Sequence, residues 1–172
     1  DIMAQVDPHA AVYTGSFDPI TLGHLNVIQR CSRLVDRLII GIGMNMEKEA
    51  LFSIEDRIEL VRHTTSNLKN VEILAFDGLA VNFVKHCNAR VMVRGVRSLS
   101  DMEAEFTMSL ANRKLAPNIE TIFLMAGEEY SHISSSLIKQ IAALAGKEEL
   151  EQFVPPIVAE ALRERLVESQ DR

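Results

Sequence analysis

Apolar and polar positions follow two rhythms along this chain of 172 residues. Short, almost continuous apolar runs rich in β-branched residues recur as AAVYT (10–14), RLIIGIG (37–43), VEILAF (71–76), RVMVR (90–94) and TIFLM (121–125). Runs of that length without a polar face read as strands covered on both sides. Between them the spacing becomes helical. Leu25, Ile28 and Val35 form one stripe, and Ile54, Ile58 and Val61 form another behind Ser53, an N-cap candidate with Asp56 three residues on. Leu79, Phe83, His86 and Cys87 mark a third helix, and 99–115 predicts a longer fourth that stops before Ala116 and Pro117. A fifth starts at Ser134, Ser135 and Ser136, and after Pro155 and Pro156 the segment IVAEALRERLVES predicts a last helix with Glu and Arg along its polar face.

This alternation predicts an α/β fold: one doubly wound, five-stranded parallel sheet, covered on both faces through right-handed crossovers, with a C-terminal helix. The strand order 3-2-1-4-5, common to mononucleotide-binding halves, makes strands one and four neighbours where the crossover direction reverses. Their C-terminal ends then frame a ligand crevice. The single domain is read as 10–168. Residues 1–9 (DIMAQVDPH) carry no pattern, and Met3 after two residues marks Asp1 and Ile2 as vector-derived.

Composition narrows the function. A chain that is 47% hydrophobic and 24% charged suits one globular domain, and a formal net charge of -6 argues against broad nucleic-acid binding. Any anion site is therefore local. Cys31 and Cys87 form no CxxC pair and lie near no metal-ligand set, so they read as free thiols of a reducing cytoplasm. No apolar run of about 18 residues and no signal-peptide order occurs, which predicts a cytosolic protein without a membrane partner.

The candidate chemistry sits where the topology wants it. TGSFDPITLGH (14–24) follows strand one and RGVRSLSD (94–101) follows strand four. Gly15 allows a sharp turn that brings N–H groups near an anion, Pro19 fixes φ, and Gly23 leaves space beside His24. Asp18 reads as a brace for its own turn. Arg94 and Arg97, flanking Gly95 and Val96, concentrate positive charge in an acidic protein. YSHISSSLIK (130–139) opens a helix with hydroxyls and free N–H groups; Ser134 alone reads first as an N-cap, and three serines in a row shift the reading toward an anion site. GIGMNM (41–46) lacks the third glycine of a dinucleotide fingerprint, and no GxxxxGK[ST] occurs, so a different phosphate-binding design is required.

TLGH preceded by GSFDP resembles the (H/T)xGH signature of the nucleotidyltransferase superfamily. With RGVR and ISSSLIK added, the chain resembles the phosphopantetheine adenylyltransferase family from about Ala11 to about Leu166. The resemblance implies a reaction of ATP with 4′-phosphopantetheine, giving dephospho-coenzyme A and pyrophosphate, with Mg2+ arriving on ATP, and no protein metal site. It implies His24 as the catalytic donor, and Ser16, Lys48, Ala80 and Arg94 as contacts to phosphopantetheine. For ATP it implies Ser16, Phe17, His24, Gly95, Val96, Arg97, Glu105, Tyr130, Ser131, His132, Ile133, Ser134, Ser135 and Ser136. It further implies a homohexamer and feedback inhibition by coenzyme A. On their own chemistry, Lys48 in EKE and Glu105 on a helix face read as solvated side chains, Ala80 and Leu79 as helix core, and Met102, Phe106 and Met108 as either core or contact surface. Thr14, Ser16, Tyr130 and His132 depart from the commonest family residues.

The chemistry expected of such a site is positional. A phosphate monoester with a second pKa near 6 is largely a dianion at neutral pH and needs no general base. The cleft must align two anions and stabilise charge at the α-phosphate, and a neutral His24 at a helix start suits the second task. Lys48 and RGVR favour phosphopantetheine over the substrates of nicotinate-mononucleotide adenylyltransferases or cytidylyltransferases, and the intact His24 favours an enzyme over a nucleotide sensor.

Overall fold

The computed structural model describes residues 6–44 and 49–170. Five strands, β1 (Ala10–Gly15), β2 (Arg37–Gly43), β3 (Val71–Phe76), β4 (Val91–Val96) and β5 (Glu120–Met125), form one sheet in the order β3-β2-β1-β4-β5. Every pairing is parallel. The helices are α1 (Leu22–Ser32), α2 (Ile54–Thr64), α3 (Ala80–His86), α4 (Leu99–Leu115), α5 (Ser135–Ile141), α6 (Lys147–Leu150) and α7 (Pro156–Gln170), with a 3₁₀ turn over Glu128–Tyr130. The doubly wound α/β fold is as the apolar rhythm predicts, and the strand order is the one taken over from mononucleotide-binding halves.

Strand alternation sorts the core into two layers. Ala11, Tyr13, Leu38, Ile40 and Val93 face α1, α2, α5, α6 and α7, while Ala10, Val12, Ile39 and Met92 pack with Val81, Phe83 and Val84 of α3. Gly41 of β2 lies under the stacked rings of Phe76 and Phe83, whose centroids are 4.6 Å apart. A Cβ there would come within 2.5 Å of Phe83. α4 is different in kind, because none of its residues is buried. Met102, Phe106 and Met108 therefore fill no core and present apolar surface instead.

One helix is shorter than its stripe predicts. α1 ends at Ser32, and Val35 packs against the core from the following turn. The reason is long-range: the Asn70 amide donates to the carbonyls of both Ser32 and Val35 and draws the chain off the helical path.

Candidate active site

The sheet opens where its winding reverses. The β1–β2 ladder runs on to Gly15 and Ile42, but the β1–β4 ladder stops at Tyr13 and Val93. Two adjoining cavities fill the opening, one of about 270 Å³ and one of about 470 Å³. Thr14, Gly15, Ser16, Arg94 and Glu105 belong to both and form the wall between them. His24, Arg97 and Ser134 to Ser136 line the smaller cavity; Leu79, Ala80, Met92 and Met108 give the larger one its apolar lining.

His24 is positioned by the start of its own helix. Thr21 caps α1: its hydroxyl accepts from the His24 N–H at 3.3 Å, and its own N–H donates to His24 Nδ1 at 3.1 Å. This is a reciprocal capping box with histidine in the place usually taken by glutamate or glutamine. A backbone N–H can only donate, so Nδ1 is the acceptor nitrogen and the neutral ring carries its proton on Nε2. Burial lowers the imidazole pKa to about 4, helped by the charges of Arg97 and Arg94. At neutral pH the ring is therefore an uncharged N–H donor.

Both arginines are held by carboxylates of α4. Arg94 pairs bidentately with Glu105, Nε to Oε2 at 2.9 Å and Nη2 to Oε1 at 2.6 Å, while its Nη1 donates to the Thr14 carbonyl at 2.5 Å. Burial works against the Arg94 charge, but Glu105 outweighs it and holds the guanidinium pKa above the ordinary value. Arg97 binds Asp101 through Nε at 2.8 Å and donates from Nη1 to the Ile133 carbonyl at 3.1 Å. Asp101 and Glu105 lie one helical turn apart, so one face of α4 serves both cations. Glu105 is thus no free solvated side chain: it is part-buried, both its oxygens accept from Arg94, and it lines both cavities.

The structure brings together Ser16, Phe17, His24, Arg94, Gly95, Arg97, Glu105, Ile133 and Ser134 to Ser136 in the smaller cavity, and places Ala80 in the larger one. Val96 is buried in β4, Tyr130 and Ser131 lie in the neighbouring 3₁₀ turn region, and the His132 ring stands edge-on to Phe153 with centroids 6.0 Å apart. None of these four lines either cavity. Lys48 lies outside the described residues. Ser134 is the N-cap of α5, accepting from Leu137 N–H at 3.1 Å, and the Ser135 hydroxyl donates to the Pro19 carbonyl at 3.0 Å. Asp18 braces a distant segment instead of its own turn: its buried carboxylate accepts from the N–H groups of Leu51 and Phe52 at 2.8 and 2.9 Å. The carboxylate of Asp101 and the capping role of Thr21 were not singled out from sequence. The i,i+4 spacing from Arg97 to Asp101 and the T-x-x-H spacing were the signals for them.

The geometry has counterparts. A family model described as cytidylyltransferase-like matches residues 12–141. The chain is 55% identical over 157 residues to a phosphopantetheine adenylyltransferase of Rhodopirellula baltica, spanning 91% of this chain and 88% of the relative. It is 48% identical over 159 residues to the enzyme of that name from Caldanaerobacter subterraneus, spanning 92% and 98%. Among solved structures, a Plasmodium falciparum nicotinic acid mononucleotide adenylyltransferase in complex with NaAD shares the fold, with a TM-score of 0.66, 16% identity, and coverage of 92% of this chain and 96% of that one.

Proposed function

We propose a division of labour within the cleft of this chain, which belongs to the cytidylyltransferase-like family and, within it, to the phosphopantetheine adenylyltransferases. The reaction is adenylyl transfer from ATP to 4′-phosphopantetheine, giving dephospho-coenzyme A and pyrophosphate in coenzyme A synthesis. A phosphate oxygen of phosphopantetheine forms a bond to the α-phosphorus, and the bond to the oxygen bridging the α- and β-phosphates breaks, its electron pair leaving with pyrophosphate. The nucleophile is already anionic, so the protein's tasks are alignment and electrostatics.

His24 donates from Nε2 to an α-phosphate oxygen as charge builds there. A preorganised neutral donor of this kind contributes about 3 to 4 kcal/mol to the transition state. Arg97 and the Ser134–Ser136 segment face the ATP phosphates from the smaller cavity. Arg94, on the shared wall, orients the phosphate of phosphopantetheine, whose pantetheine arm lies along Leu79, Ala80, Met92 and Met108 in the larger one. Lys48 is assigned to the same phosphate on the resemblance alone. Mg2+ belongs to the ATP substrate, where it neutralises triphosphate charge; the cationic and hydroxyl lining suits a polyphosphate that brings its own ion. The observation that carries this reading is the convergence of an Nε2–H donor and two arginines, from segments far apart in the chain, on adjoining cavities that share one wall.

Two finer assignments accompany it. The unburied α4 and its exposed Leu99, Phe106, Leu110 and Leu115 support a homo-oligomer, for which the family resemblance suggests six copies. Coenzyme A, which combines a pantetheine arm with an adenine nucleotide, suits the paired cavities as a feedback inhibitor. The buried, unbonded Cys31 and Cys87 accord with a cytoplasmic setting.

Pyrophosphate release from MgATP tests the assignment. The expected result is release that depends on 4′-phosphopantetheine and is absent with nicotinate mononucleotide. Release with nicotinate mononucleotide alone overturns it.

A further inference from the structure

The turn that joins β1 to α1, which lends Ser16, Phe17 and Thr21 to the smaller cavity, is held in a conformation its sequence does not favour. Phe17 has φ of 47°, in the left-handed region that non-glycine residues avoid. Its ring is buried, stands edge-on to Tyr13 at 5.3 Å between centroids, and lies against the His24 imidazole at 4.9 Å with an interplanar angle of 55°. Gly15 leaves just enough room above it, since a Cβ there would stand 3.0 Å from the ring.

Apart from Ser135, the constraints on this turn come from residues that line neither cavity. The Asp18 carboxylate is fully buried and takes the Leu51 and Phe52 N–H groups, with Lys139 Nζ of α5 at 3.3 Å and Arg57 Nε of α2 at 4.0 Å. Arg57 in turn donates from Nη1 to the Ser16 carbonyl and from Nε to the Phe52 carbonyl, both at 3.1 Å. Ser135 holds the Pro19 carbonyl from the other side. The Ser16 carbonyl before Phe17, and the Asp18 side chain and Pro19 carbonyl after it, are thus tied to α2, to α5 and to the segment entering α2. An unfavourable φ persists where surrounding contacts over-determine it.

We propose that Asp18, with Arg57 and Lys139, is a positioning residue: it fixes the strained turn at Phe17, and the Phe17 ring then sets the plane from which His24 Nε2–H donates. The inference rests on the role given to His24 above. Thr21 restrains the imidazole at Nδ1 only, which leaves tilt about that contact to be set by what the ring lies against. A carboxylate serving only the fold would affect stability and leave the imidazole where it is.

Asp18→Asn keeps the size of the side chain but turns an amide N–H2 toward backbone donors, and Lys139→Met removes the cation while keeping apolar length. For whichever variants fold, each is expected to lower kcat at least tenfold below its melting temperature, with the KM values for ATP and 4′-phosphopantetheine within about threefold of the parent. The ¹⁵N and ring-proton resonances of His24 should shift or broaden in the substrate-free protein. Loss of thermal stability with kcat and the His24 resonances unchanged overturns the proposal. The NMR arm needs no substrate, so it fails or succeeds independently of the assigned reaction.

Discussion

Replacing His24 by glutamine separates the imidazole's chemistry from its role in the helix cap. Thr-x-x-Gln is an ordinary capping box, so the Thr21 N–H keeps an acceptor and α1 keeps its start. What disappears is a titrating group. In the folded chain the imidazole pKa lies at about 4, against 6.5 for an unperturbed histidine. The unfolded chain therefore takes up this proton first, and the folded state loses stability as pH falls from about 6.5 to about 4, with the full contribution present above that window. A shift of this size corresponds to about 3 kcal/mol. All other groups titrate alike in the parent and in His24→Gln, so the difference between their stability curves isolates this one. Urea denaturation at one protein concentration, from pH 4 to pH 8, is expected to show that difference narrowing by about 3 kcal/mol on the acid side. In the same preparations kcat at pH 7.5 should drop by about a hundredfold or more, through loss of the Nε2–H donor. Parallel stability curves would refute the reasoning, because they would mean that the folded and unfolded imidazoles bind protons equally.

Arg94→Ala should raise the KM for 4′-phosphopantetheine by about ten- to a hundredfold, the worth of charge-assisted hydrogen bonds, and leave that for ATP within about threefold. Steady-state kinetics with each substrate varied decides it. Glu105→Gln should likewise act on phosphopantetheine through Arg94; an effect confined to the ATP KM would instead show Glu105 serving the adenine. Gly41→Ala is expected to cost about 1 to 3 kcal/mol in urea titrations, since its Cβ meets the Phe83 ring, with kcat of the folded fraction unchanged. Phe106→Asp, on the exposed face of α4, should give a smaller species by light scattering, and an unchanged mass would rule out this face as a contact between copies.

Much of the scaffold was legible in the chain because it is written in local signals. The five apolar runs became the five strands, and α4 spans Leu99–Leu115 as read, since Ser98 caps one end and Ala116 with Pro117 closes the other. The site was legible as a set of loops, and its wiring was not. Arg94 and Glu105 are 11 residues apart, Arg94 and Thr14 are 80 apart, and Asp18 finds Leu51 and Phe52 across more than 30. Such contacts exist only once the sheet has assembled. Asp18 in particular sits in a turn rich in signals for local bonding, and the reading of it as a local brace failed because two distant N–H groups offer a buried carboxylate more than its neighbours do. The shortness of α1 has the same origin, in an asparagine arriving from the loop before β3.

The two acidic residues that α4 lends to Arg94 and Arg97 bear on how the empty protein behaves in a salt-filled cell. Two naked guanidinium groups in a half-enclosed hollow would attract whatever small anion is most abundant, and each such visitor would compete with turnover. With a counter-ion already built in for each, stray orthophosphate or sulfate gains little by entering, whereas a pair of large substrates bearing several charges can repay the cost of displacing them.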